Sequence, residues 1–206
     1  MTRDQRQRLS TADASPDLLG ADVPPAGEPT FLPDAVKPAS PRGRVICAGL
    51  DISIDRDGVW FYHGSPITRK ELVCLYASVL ARDSSGAYWL VTPAELGRVH
   101  VEDVPFLAVE MFRSDAGCEP VISLRTNVDE IVTVDDAHPV RVHINPDSGE
   151  PIPYVTVRPG LEARILRPVY YQLVDAGVAE TVDDADLYGI WSSGSFFPLG
   201  RLDGGS

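Results

Sequence analysis

Between residues 45 and 206 the chain carries eleven arginines and one lysine, Lys70, against 24 carboxylates. Arginine used so exclusively is chemically informative: the guanidinium is a rigid fork that holds carboxylate and phosphate groups through paired hydrogen bonds. Arg69 follows the break Ser65-Pro66-Ile67 and opens a helical stretch. Arg164 and Arg167 occupy the corresponding place in a second, similar stretch, and Arg125 lies beside Asn127 and Asp129. The expectation is that Arg69, Arg125, Asn127, Arg164 and Arg167 line a groove between two halves and bind a small anion there, helped by a helix N-terminus. The competing reading makes these arginines partners of the surrounding carboxylates. On that reading the run from Arg125 to Asp129 is a turn whose Asn and Asp bond their own backbone.

Other chemistries find less support. Glu102-Asp103 and Asp183-Asp184 could act as acid and base only if buried. The serine-rich run Trp191 to Ser195 has no base in its pattern, and neither GxSxG, GxGxxG nor a Walker loop occurs. No catalytic residue is assigned. The three cysteines include no CxxC pair, against a zinc ribbon, a redox motif or a disulfide framework. Cys47 and Cys74 read as small buried apolar residues, and Cys118 as part of an exposed Gly-flanked turn. His138 and His143 fall on opposite faces of a strand, and His63 and His100 stand alone, so neither a metal nor a cofactor is expected.

The formal net charge is −12. The first 44 residues hold six basic and six acidic groups, so the whole excess belongs to the remainder. Such a chain repels phosphate polymers, and no nucleic-acid partner is expected. No apolar run approaches the roughly 18 residues of a membrane helix, and no apolar stretch follows the charged N-terminus. The expectation is a cytoplasmic protein with no membrane partner.

The elements that must position these residues are short. Residues 1–44 contain seven prolines and no apolar face, which predicts a disordered tail, with Phe31-Leu32-Pro33 as its one possible anchor. Residues 49–55 alternate as a half-buried strand, Asp57-Gly58 makes a hairpin turn, and Val59 to His63 returns. Thr68 and Glu71 suggest a capping box for a helix running to Asp83-Ser84-Ser85-Gly86. Short strands follow at 88–91, 98–102, 105–112, 121–126, 130–134, 140–144 and 154–157. A helix starts near Arg167 with Pro168 in its first turn and ends at Gly177, and a final hairpin spans 187–199. This pattern predicts an α+β fold. It has a tail (1–44) and two β-rich halves (45–112 and 113–206), each with one main helix on curved antiparallel sheet. A sequence offset of about 94 lays Trp60 on Tyr154, Leu72 on Leu166 and Tyr76 on Tyr170, as a duplicated strand–helix–strand motif would.

Several blocks resemble the domain of unknown function 1285 family. They are Asp51 to Ile67, Tyr88 to Pro93, Val101 to Phe106, Arg125 to Asp129, Tyr154 to Tyr171 and Trp191 to Phe197. The resemblance covers about residues 47–200. It implies a bacterial protein with an α+β fold and a repeated strand–helix motif, for which ligand sensing or signal transduction has been suggested. It implies no activity, and fold alone does not fix one.

Together these readings favour a noncatalytic binding or regulatory module whose partner is a small acidic ligand or a protein segment. The alternatives are an enzyme using Glu102 or Asp103 as a base and a structural interaction module. Oligomeric state is not encoded in these patterns.

Overall fold

The computed structural model describes residues 45–93, 95–115 and 119–202, with side chains from residue 50 onward. The predicted disordered tail, Phe31-Leu32-Pro33 and Cys118 lie outside the described residues.

β1 (Val45–Ile54) buries Ile52 and Ile54 and exposes Asp51, the alternation read from its sequence. Gly58, at φ +72°, turns the chain into β2 (Trp60–Tyr62). His63 and Gly64, both at positive φ, form a two-residue turn into β3 (Ser65–Pro66). α1 (Lys70–Ser78) follows, then β4 (Leu80–Arg82), β5 (Tyr88–Val91) and β6 (Glu95–Val101). The capping box does not form: Arg69 is the N-cap and makes no side-chain cap bond. The helix also ends at Ser78, short of the expected stop at Asp83-Ser84-Ser85-Gly86. Leu80 is drawn into the core as the start of a strand, and Asp83–Gly86 is the hairpin turn beyond it. Leu75 is exposed, whereas Val73, Cys74 and Tyr76 pack on the core.

These strands form one sheet in the order β3-β2-β1-β6-β5-β4. It consists of two antiparallel meanders joined by the parallel pair β1 and β6, with Ile52 opposite Val99 and Ile54 opposite Val101. A second sheet uses the same plan. β7 (Phe106–Ser114), β8 (Val121–Thr126), β9 (Ile131–Thr133), β10 (Val140–Ile144), β11 (Pro151–Arg158) and β12 (Leu161–Ile165) lie in the order β10-β11-β12-β7-β8-β9. β7 and β12 are its parallel pair. Both sheets are therefore mixed and not purely antiparallel. β7 belongs wholly to the second, so the sheets divide between Val101 and Phe106 and not at residue 112. α2 (Arg167–Asp175) carries Pro168 in its first turn. β13 (Val178–Val182), β14 (Ala185–Ser192) and β15 (Ser195–Arg201) then form a three-stranded antiparallel sheet.

The order three strands, helix, three strands thus occurs twice, as β1 to β6 around α1 and as β10 to β15 around α2, with the meander β7–β9 between. The offset that lays Trp60 on Tyr154 and Tyr76 on Tyr170 matches β2 to β11 and α1 to α2. β10 and β15 lie side by side as β1 and β6 do, but without a hydrogen-bonded ladder. One continuous core, including Ile54, Trp60, Phe106, Leu124, Val155, Leu173 and Ile190, runs through all three sheets. Among the described residues no helix is long and apolar enough to cross a membrane.

Candidate functional site

Cross-strand register assembles a row of polar side chains on the second sheet. Arg141 on β10 stands opposite Tyr154 on β11, which stands opposite Arg164 on β12. Directly paired residues share one face, so the three side chains line up across about 10 Å of sheet. Arg141 holds Glu162 with both prongs of its fork, Nε to Oε1 at 2.6 Å and Nη2 to Oε2 at 2.7 Å. Its guanidinium lies 4.4 Å from the centroid of the Tyr154 ring.

The row faces the junction of the two large sheets. Tyr154 Oη donates to Asp103 Oδ1 at 3.0 Å, on the short link between β6 and β7. Arg164 Nε lies 3.8 Å from Asp103 Oδ2, an electrostatic contact and not a hydrogen bond, while its Nη2 donates to the carbonyl of Arg56 in the β1–β2 turn. The amide of Arg56 in turn donates to Glu102 Oε2 at 3.1 Å. From the first sheet, Arg82 on β4 lies over the ring of its cross-strand partner Tyr88, 5.2 Å from the centroid.

Burial first, and then the Asp103 charge, push the Tyr154 phenol up to about 12. Tyr88 is also raised, chiefly by burial, with Arg82 opposing and Glu162 and Asp103 adding to it. Glu162 raises Arg141 further above its ordinary value. Both phenols therefore stay protonated at neutral pH, and that of Tyr154 donates to Asp103.

Of the five arginine and asparagine positions anticipated from sequence, Arg164 lies in this seam. Arg125 holds Glu110 (2.6 Å) and Asp129 (2.9 Å), and Asp129 also takes Lys70 Nζ at 2.6 Å. Arg69, the exposed N-cap of α1, is next in the chain to that lysine. Asn127 is a staple: its Oδ1 accepts from the Leu107 amide at 3.1 Å and its Nδ2 donates to the Gly58 carbonyl at 3.2 Å. Arg167 pairs with Glu150 at 2.9 Å in the open. Arg82, Arg141, Tyr154 and Glu162 are the seam residues that sequence reasoning passed over. For Arg141, Tyr154 and Glu162 the signal available was their place in the alternation of β10, β11 and β12, which becomes informative only once the register is known.

The acid pairs resolve simply. Asp183 and Asp184 are exposed and occupy a hairpin turn at positive φ. Asp103 is engaged by Tyr154 and Arg164. Cys74 Sγ donates to the Val128 carbonyl at 3.4 Å and so ties α1 to the β8–β9 turn. His138 Nδ1 lies 2.9 Å from Asp135 Oδ1, within its own turn.

Two family models cover this architecture: "Domain of unknown function (DUF1285), N-terminal domain" matches residues 43–104, and "Protein of unknown function (DUF1285), C-terminal domain" matches residues 105–199. The chain belongs to the DUF1285 family. A crystal structure of a DUF1285 family protein from Silicibacter pomeroyi DSS-3 is 38% identical, with a TM-score of 0.70 over 82% of this chain and 92% of that one. A second, from Shewanella baltica OS155, is 26% identical, with a TM-score of 0.50 over 62% of this chain and 92% of that one. No curated protein matches the chain. The division between the two family models falls in the link that carries Asp103, between β6 and β7. In this DUF1285 protein the polar seam thus sits at the junction of the two family domains.

Proposed function

We propose that this protein is a noncatalytic binding module that takes a small anionic ligand at the seam, as a sensor or regulatory part of a larger process. One observation carries the reading: in a chain of net charge −12, the seam concentrates the guanidinium groups of Arg82, Arg141 and Arg164 around two tyrosines, beside Glu102, Asp103 and Glu162. Arg164 Nε has donor capacity left, because Asp103 stands too far for a hydrogen bond. The Arg141 side chain is 51% exposed and can turn part of its fork from Glu162 toward a ligand. A carboxylate or phosphate group between them would meet two guanidinium groups above an aromatic ring, the arrangement that planar anion recognition uses. The Tyr154 phenol is raised, the opposite of what a tyrosine base requires, so the seam favours binding over proton transfer.

The test is a thermal-melting series of the full chain with citrate, inorganic phosphate and nucleoside phosphates. A ligand at a hundred times its dissociation constant adds about 2.7 kcal/mol. The expected result is a rise in Tm with at least one anion, lost in Arg141→Gln and in Arg164→Gln and kept in Arg167→Gln. A rise that Arg167→Gln abolishes equally, or no rise with any anion, would sink the reading.

A further inference from the structure

We infer that the outer edge of β13 is a docking edge for an extended, lysine- or arginine-bearing segment of a protein partner, which would join β13–β15 as a fourth strand. Edge strands present unpaired main-chain groups, and proteins commonly blunt them by shortness, proline, lysine or a covering element. Among the described residues the other edges are blunted. β3 has two residues and ends in Pro66, and β4 and β9 have three residues each. β10 and β15 lie against one another. β13 has five residues, Val-Ala-Glu-Thr-Val, with neither proline nor lysine, and among the described residues it pairs only with β14.

The ladder fixes which groups are free. Asp183 and Asp184 form a two-residue turn with both φ positive, so Val182 and Ala185 exchange the first pair of main-chain bonds. Glu180 and Val178 continue that bonded series with Leu187 and Gly189. Ala179 and Thr181 therefore turn their N–H and C=O groups away from β14, toward solvent. Beside this edge the Trp191 indole donates to Glu180 Oε1 at 3.1 Å, which sets Val178, Glu180 and Val182 on one face with Trp191. Val178, Val182 and Trp191 are 42%, 40% and 39% exposed. A cleft of about 90 Å³ opens there between Val178, Trp191, Ala176, Ile122, Pro120 and Arg113, a seat for one apolar side chain of an incoming strand.

Charge selects the occupant. Residues 168–200 contain five carboxylates, Asp175, Glu180, Asp183, Asp184 and Asp186, and no Lys, Arg or His. Arg113 at the cleft is already bonded to Asp115 at 3.0 Å, and Arg201 ends the opposite edge strand. A second copy of β13 would set these acids against their own kind, which cross-strand pairing penalises. A segment alternating apolar and basic residues satisfies the ladder, the cleft and the charge together.

Backbone amide NMR of the full chain tests this with the synthetic peptide Lys-Val-Lys-Val-Lys-Val-Lys and its all-Glu counterpart. The Lys peptide should shift the Ala179 and Thr181 amides and slow their exchange at least tenfold, and the Glu peptide should not. Ala179→Pro removes only an outward N–H, so it should abolish the response while leaving the melting temperature close to wild type. Asp183→Asn with Asp184→Asn, which the turn tolerates at positive φ, should weaken binding several-fold and keeps the test independent of the proline variant. Equal response to both peptides, or no response at Ala179 and Thr181, overturns the inference. Protection of those amides without any peptide, or a dimer lost in Ala179→Pro, also overturns it, by giving the edge to this chain itself.

Discussion

The two copies of the three-strand, helix, three-strand unit follow one order and close differently. In the first, β1 and β6 bond directly and the six strands make one sheet. In the second, β10 and β15 only lie side by side, and β12 bonds to β7 from outside the unit. The C-terminal meander is then held from elsewhere: the buried Ser192 hydroxyl donates to the Val134 carbonyl (2.7 Å) and accepts from the Ile122 amide (3.0 Å). The helices show the same substitution of means. Lys70 opens α1 and binds Asp129, and Arg167 opens α2 and binds Glu150, each pair offsetting a cation at the unfavourable end of a helix dipole. At the other end, Arg158 donates to the Ala77 carbonyl at 2.8 Å and also reaches that of Ser78, whereas α2 is closed by the Tyr188 hydroxyl on the carbonyls of Val174 (2.8 Å) and Gly177 (3.2 Å). An element order can thus be duplicated while each copy finds its own way to satisfy the same orphan groups.

The largest effect should separate the two units at their glycines. A Cβ on Gly189 in β14 would sit 2.4 Å from the Phe197 carbonyl oxygen and 2.9 Å from Pro198 Cα, both main chain. A Cβ on Gly97 in β6 meets mainly the movable end of the Leu50 side chain. Gly189→Ala should cost roughly 3 kcal/mol and Gly97→Ala about half of that, read from urea unfolding of each variant. Equal costs would show that the second meander can shift as a body and that its tie to the core is weaker than Ser192 suggests.

The caps give the next contrast. Arg158→Gln removes a charged donor from the end of α1 and strips Glu130 of its ion partner at 3.3 Å, so a loss of about 2 kcal/mol is expected. Tyr188→Phe removes a neutral donor shared by two carbonyls and should cost about 1 kcal/mol. Unfolding of the two variants at low and at 1 M salt sharpens the comparison: screening should shrink the Arg158 effect more than the Tyr188 effect. The reverse order would mean that α1 is held mainly by Val73, Cys74 and Tyr76 against the core.

Much of this architecture was legible in the residues, and what escaped did so for physical reasons. Pro168 located α2 because its ring suits the first turn of a helix. Val140 to Ile144 and Tyr154 to Val157 were readable as strands from alternation. β13 was not, because an edge strand exposed on both faces has no apolar period to detect. The capping box failed because Thr68 and Glu71 have the right spacing but the chain enters the helix one residue later. Arginine bias pointed to anion-binding chemistry, and Arg164 was among the residues chosen. Its neighbours Arg141 and Tyr154 come together only through strand register, which local sequence does not encode.

The smallest effect concerns the start of α1. The hydrogen bond from Lys70, above all, holds the Asp129 carboxyl below its ordinary value, with the Lys70 charge and Arg125 helping against partial desolvation. The unfolded chain returns it to about 3.9, so the folded state binds this proton less readily. The stabilisation is then fully present above that pH and is lost as pH falls through the lower, folded pKa. Lys70→Met should move the Asp129 carboxyl titration, followed by carbon NMR, upward toward 3.9 without reaching it, because Arg125 remains at 2.9 Å. The part of the acid limb of the stability curve that Asp129 contributes should shrink correspondingly, because folded and unfolded chains then differ less in binding this proton. Both groups are on the surface, so the change should be small and should fade in high salt. An unmoved Asp129 midpoint would mean that Arg125 alone sets it. Lys70 would then do no more than occupy the first turn, and α1 would start, unlike α2, without an ion pair that matters.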